Sequence, residues 1–221
     1  PEQVVEFLNV YLSQMTGEVE AESGIVDKYI GDAVMAFWGA PLPLPDHADR
    51  AARAVLRQMR RVAALREGWV GRGGLGAFSV RIGLHSGAVI VGNIGSDTRM
   101  DYTIIGDAVN TASRLEGMNK VYGTHILISE DTFRLLQGRY VARELDHIRV
   151  MGRSRPVRIY ELVGEARAEE EPGEGEDARR ALQATHARFA EGLALYRAGT
   201  FADAERLFAA LADETGDAPS R

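Results

Sequence analysis

The chain has no cysteine, which excludes disulfides, thiolate metal sites and a cysteine nucleophile. Long apolar runs are missing too: the stretch from Ala33 to Leu44 is interrupted by Gly39, Pro41 and Pro43, and no charged-then-apolar leader opens the sequence. Neither a membrane span nor a signal peptide is expected, and the corresponding expectation is a cytoplasmic location. Positive charge is scarce. With 26 Lys and Arg against 32 Asp and Glu, a net charge of −6 disfavours nucleic-acid binding, which needs a concentrated basic surface. Small anions remain possible where a local cluster or a metal supplies positive charge. What is present is ample apolar material: 45% of 221 residues, enough for one domain of ordinary size with residues left over.

Val4, Val5, Phe7, Leu8, Tyr11, Leu12, Met15 and Val19 recur at three- and four-residue spacing and predict an amphipathic helix from Glu2 to Ala21. Asp46 is a plausible N-cap for a second helix running to Arg66, with Ala51, Val55, Met59 and Val62 on one face. Strands are expected at Ser79 to His85, Ala88 to Ile94 and Asp101 to Ile105, followed by a helix from Asp107 to Val121. A strand (His125 to Ser129), a short helix (Glu130 to Leu136) and strands at Tyr140 to Val150 and Val157 to Leu162 complete a mixed α/β unit over residues 1–163. The glycines of Gly71-Arg-Gly73-Gly-Leu-Gly76 fit a dinucleotide fingerprint in letters only. A helix precedes and a strand follows, the reverse of what that mechanism requires, so the segment reads as a flexible connection.

Residues 164–177, rich in Glu with Pro172, Gly173 and Gly175, read as an acidic flexible linker. Beyond it, Leu182, Phe189, Leu193 and Tyr196, then Phe201, Ala204, Leu207, Phe208 and Leu211, give two helical stripes around a Gly199-Thr200 turn. Residues 178–214 therefore form a helical hairpin, with Gly192, Ala204 and Phe208 at tetratricopeptide-like spacing. One such unit cannot bury its faces alone, so it is expected to stack on further repeats or on the first domain.

Two segments carry candidate chemistry. In Ile25-Val-Asp-Lys-Tyr-Ile-Gly-Asp-Ala-Val-Met-Ala-Phe-Trp38, two apolar strand-like runs flank Gly31-Asp32, which suits a two-residue II′ turn and puts the Asp32 carboxylate at a hairpin tip. Alternation places Val26, Lys28, Ile30 and Asp32 on one face, with Lys28 and Asp32 roughly 13 Å apart at ~3.3 Å per residue. In Asp101-Tyr-Thr-Ile-Ile-Gly-Asp-Ala-Val-Asn-Thr-Ala-Ser-Arg-Leu115, a strand feeds directly into a helix. Asn110 and Arg114 then lie one turn apart on one face, with Thr103 near the end of the strand. Taken singly, each residue also fits a plain structural role. An amide in the first turn with a guanidinium one turn later suits an anion whose charge shifts during reaction. His85 and His125 flank strands without ligand partners at metal-binding spacing, so packing is the better reading.

The stretches from Gly24 to Pro41 and from Val80 to Glu116 resemble class III nucleotidyl cyclase catalytic domains, most of all those of bacterial adenylate cyclases, and the likeness covers Glu2 to Val163. The resemblance implies a ferredoxin-like α+β (βαββαβ) domain that works as a head-to-tail homodimer and forms 3′,5′-cyclic AMP and pyrophosphate from ATP, using two Mg2+ or Mn2+ ions per site. It further implies that Asp32 is one of two metal-binding carboxylates, Lys28 and Thr103 read adenine, Asn110 and Arg114 stabilise the transition state, and Arg81 contacts the triphosphate. The pairing of Lys28 with Thr103, where guanylate-specific members carry Glu and Cys, points to ATP and to the subgroup that includes bicarbonate-responsive cyclases.

The chain departs from the family pattern twice. The first metal carboxylate of the family lies on a strand before the first helix, whereas Pro1 opens directly into that helix, so this piece is expected to lack one strand and one ligand and to be weakly active or inactive by itself. At Val150-Met-Gly-Arg-Ser154, Met151 replaces a phosphate-binding Lys, and Arg153, on the same strand face, is the candidate substitute. Three readings follow. They are an adenylate cyclase, a degenerate domain that only binds nucleotide or dimerises, and an interaction module whose helical tail meets a protein partner.

Overall fold

The computed structural model describes residues 2–69, 78–148, 156–166 and 176–220. Its elements follow the order α1 (Glu2–Ala21), β1 (Ile25–Ile30), β2 (Ala33–Phe37), α2 (His47–Trp69), β3 (Ile82–Leu84), β4 (Ile90–Ser96), β5 (Arg99–Ile105), α3 (Asp107–Tyr122), β6 (Ile126–Ser129), α4 (Glu130–Leu135), β7 (Tyr140–Ile148), β8 (Val157–Glu165), α5 (Glu176–Arg197) and α6 (Phe201–Thr215), with a short 3-10 turn at Ala218–Ser220. The result is a mixed α+β architecture, the class that the family resemblance implies. The glycine-rich segment at 70–77, Met151 and Arg153, and most of the acidic linker lie outside the described residues.

A four-stranded sheet in the order β3-β6-β8-β7 forms the centre, with β3 and β6 parallel and the remaining pairs antiparallel. Every residue of β6 is buried, as expected of a strand covered on both faces. Ile126 and Ile128 point to one face, where Ala52, Val55 and Leu56 of α2 close the core with Tyr160 and Leu162. Leu127 points to the other, where it meets Leu115 of α3 together with Phe189, Leu193 and Leu211 of the last two helices. The helical hairpin thus stacks on the first domain and forms part of its core. Gly192 permits the close α5–α6 approach, since a Cβ there would sit 2.7 Å from the Phe208 ring.

Arg143 on β7 anchors the far end of this layer. Its side chain is buried, pairs with Glu161 and Asp217 at 2.8 Å each, and lies 5.0 Å from the centre of the Phe189 ring. A third cluster, Phe7, Tyr11 and Met15 of α1 against Val62, Leu65 and Trp69 of α2, supports the β1–β2 hairpin through Val34. Buried Glu22, beyond the end of α1, pairs with Arg53 and Arg57 of α2 at 2.9 and 3.0 Å and fixes the angle at which the chain enters β1.

Two hairpins, β1–β2 and β4–β5, stand as separate two-stranded ribbons. They carry most of the exposed large apolar side chains of the strands: Tyr29 and Ile30 on the first, Ile90, Met100, Tyr102 and Ile105 on the second. Single exposed apolar residues are ordinary, but a set concentrated on neighbouring ribbons marks an interaction surface.

Candidate active site

The tip of the first hairpin is the Gly31-Asp32 turn. Gly31 has φ +65° while Asp32 is not among the residues with positive φ, the combination expected of a II′ turn and not of I′. Asp32 is exposed there, and its charge, after burial, is the second cause that pushes the Tyr11 phenol above its ordinary value. An exposed carboxylate suits a hard divalent cation, which takes one or two protein carboxylates and completes its shell with phosphate oxygens and water. Among the described residues no group of three or more His, Asp or Glu side chains is assembled to hold a metal, so a cation here would rest on Asp32 and on what substrate or another chain provides.

Strict alternation along β1 does not hold. The register runs Val26↔Ala36 and then Lys28↔Met35, which leaves Asp27 as the extra residue of a bulge. Val26 and Lys28 therefore do not keep the simple same-face relation that the alternation predicts, and Asp27 turns inward, its side chain 1% exposed. One Asp27 carboxylate oxygen accepts the Thr103 hydroxyl at 2.6 Å and faces the Ile104 amide at 3.5 Å. Lys28 donates to the Thr103 hydroxyl oxygen at 3.2 Å, and its ammonium lies 3.4 Å from the second Asp27 oxygen. Residues 75 positions apart are thereby joined. Opposite Thr103 on β4 stands Gly92, which brings no side chain to that position.

Gly106 is the pivot between β5 and α3. Its φ of +151° is a conformation that side-chain-bearing residues rarely adopt, and it lets the chain turn from Thr103 and Ile104 into the helix within a few residues. Asp107 occupies the first turn, where its negative charge complements the helix dipole. One helical turn further lies exposed Asn110, and one turn beyond it half-buried Arg114. The helix is held against the sheet by Asn119, whose amide donates to the Ile82 carbonyl at 2.9 Å, and by the absence of a side chain at Gly83, where a Cβ would lie 2.2 Å from the Ala112 carbonyl oxygen. That contact brings Arg81 to Glu116, with which it pairs at 3.1 Å.

Of the residues singled out from sequence, the fold thus joins Lys28 to Thr103, aligns Asn110 and Arg114 along α3, sets Arg81 against the next turn of the same helix, and leaves Asp32 at an exposed tip. Arg153 lies outside the described residues. His85 bonds Ser129 at 2.7 Å and His125 faces the Val80 carbonyl at 3.3 Å, in keeping with packing roles. Asp27 and Glu116 were not found by sequence reasoning. The bulge that turns Asp27 inward leaves no mark in an alternating pattern, and Glu116 looks like any exposed helix charge until β3 is laid beside it.

The profile of the adenylate and guanylate cyclase catalytic domain family matches residues 1–164, and the chain belongs to that family. It is 39% identical over 168 residues to adenylate cyclase 1 of Rhizobium meliloti (strain 1021), which covers 76% of this chain and 25% of that protein. Against the adenylate cyclase of Anabaena cylindrica the identity is 39% over 165 residues, 73% of this chain and 32% of that protein. The chain therefore spans only about a quarter to a third of these relatives. The crystal structure of the adenylyl cyclase CyaB from P. aeruginosa superposes with a TM-score of 0.68 at 36% identity, covering 78% of this chain and 87% of that one.

Proposed function

We propose that this domain converts ATP to 3′,5′-cyclic AMP and pyrophosphate at a site completed between two copies of the chain, as an adenylate cyclase in signal transduction. The observation that carries the reading is the Lys28–Thr103 contact at 3.2 Å, a cation and a hydroxyl held side by side on neighbouring hairpins. Adenine presents an amino group and a ring-nitrogen acceptor along one edge, and guanine inverts both. A hydroxyl that accepts and an ammonium that donates match adenine, with Thr103 toward N6 and Lys28 toward N1.

In the reaction the ribose 3′ oxygen attacks the α-phosphate, the bond to the bridging oxygen breaks, and pyrophosphate departs. Bound Mg2+ or Mn2+ would make the 3′-hydroxyl easier to ionise and neutralise charge on the phosphates, and Asp32 is the carboxylate that would hold such ions. Arg114 meets the negative charge that builds at the α-phosphate, while Asn110 orients the ribose so that attacking and leaving oxygens line up. Arg81 takes the triphosphate, with Arg153 as a second cation.

Asp32 stands at the tip of the β1–β2 hairpin, two register pairs beyond Lys28, and the exposed apolar side chains of both ribbons suit a second copy as cover. The reading is tested in the full-length protein. Asp32→Ala should abolish cyclic AMP formation, and Lys28→Glu with Thr103→Cys should raise GTP use. Unchanged cyclic AMP output from the Asp32 variant would refute it.

A further inference from the structure

A threonine hydroxyl can donate or accept, so by itself Thr103 cannot distinguish an amino from an oxo group at C6 of a purine. What surrounds it removes that freedom. Lys28 can only donate, and it approaches the Thr103 oxygen at 3.2 Å. The Asp27 carboxylate can only accept, and at 2.6 Å it takes the hydroxyl proton. One lone pair of the hydroxyl then remains, with no proton to offer.

We propose that Asp27 is a positioning residue for base selection: by holding the Thr103 proton, it fixes that hydroxyl as an acceptor and so favours 6-amino over 6-oxo purine nucleotides. This rests on the reading of Lys28 and Thr103 as base readers and adds to it the residue that gives Thr103 its polarity. Burial strengthens the arrangement. The Asp27 side chain is 1% exposed, Thr103 is 6% exposed, and one Asp27 oxygen has no hydrogen-bond donor and lies 3.4 Å from the Lys28 ammonium. A buried carboxylate with this little compensation is costly to keep for packing alone, whereas fixing a hydroxyl beside a ligand edge is a task that a carboxylate performs and an amide does not. Asn at this position offers both a donor and an acceptor, and would let the Thr103 hydroxyl rotate to meet a 6-oxo group.

The experiment compares kcat/KM for ATP and for GTP in the full-length protein carrying Asp27→Asn and, separately, Asp27→Ser. Both nucleotides are turned over by the same folded molecules, so the ratio is insensitive to a loss of folded fraction, and either variant suffices. The ATP-to-GTP ratio should fall roughly tenfold, the factor set by ~1.4 kcal/mol. Adding Thr103→Asp to Asp27→Asn should restore it, because a carboxylate at 103 accepts without help. Equal losses with both nucleotides, leaving the ratio unchanged, or no restoration by the double variant, would overturn the proposal while leaving the cyclase reading standing. A wild-type protein without ATP preference would overturn both.

Discussion

Two groups compete for the Arg81 guanidinium. In the structure it pairs with Glu116 at 3.1 Å, both side chains being about two-fifths exposed, and in the proposed reaction it serves the triphosphate. An ion pair so open to water contributes only ~0–1 kcal/mol, so the triphosphate, with several charges to offer, displaces Glu116 readily. Glu116→Gln should therefore lower the KM for ATP modestly, by up to about fivefold, with kcat unchanged, because the pair opposes ground-state binding alone. Steady-state kinetics on the full-length protein checks this, and an unchanged or raised KM would show that Glu116 orients Arg81 and does not compete for it. The same neighbourhood explains what sequence can reveal at single residues. Lys28, Asp32, Asn110 and Arg114 stood out because their types and spacing within two short segments are informative without knowledge of the fold. Glu116 did not, since its meaning depends on a partner 35 positions away.

At the level of elements, the 3.6-residue and alternating patterns were sufficient for α1, α3, β2 and β5, and β6 was legible as a short continuous apolar run. They misjudged the ends of β3, which narrows to Ile82–Leu84 with Gly83 at its centre, and missed the bulge at Asp27. The last two helices were legible as a hairpin, but their docking was not. The stripe of Phe189, Leu193 and Leu211 identifies an apolar face without naming what covers it, and the cover proves to be the second face of the central sheet. This docking carries a pH dependence. Burial, and then the Arg143 guanidinium, holds the His186 imidazolium below the ordinary histidine value, with Asp217 opposing more weakly. Above about pH 6.5 the folded and unfolded chains both hold a neutral imidazole, and docking keeps its full contribution. As pH falls from there toward the depressed folded value, the unfolded chain takes up the proton first and stability is lost. Thermal melts at about pH 7.5 and about pH 5.5 should show a larger fall for wild type than for His186→Gln. Equal falls would mean that the imidazole stays neutral, or is equally accessible, in both states.

For the whole molecule, Lys28 reaches from β1 to Thr103 on β5, which leads through Gly106 into α3 with Asn110 and Arg114, while Asp32 stands at the exposed tip of the β1–β2 hairpin. A two-fold pair of chains would form two equivalent sites, each drawing Asp32 from one copy and the other residues from its neighbour. Sequence alone could imply this arrangement only through family resemblance, because no periodicity encodes which exposed ribbon meets which. The arrangement makes a quantitative prediction. Full-length chains carrying Asp32→Ala or Arg114→Ala should each be inactive alone, since every site in either homodimer lacks one essential group. When the two are co-expressed in equal amounts, half of the dimers pair one variant with the other. In each mixed dimer one site collects both defects and the second collects neither, so about a quarter of wild-type cyclic AMP formation should return. Recovery should track the amount of mixed dimer isolated through two different affinity tags. No recovery in a purified mixed dimer would mean that Asp32 and Arg114 serve a site within one chain, and the shared-site geometry would have to be abandoned.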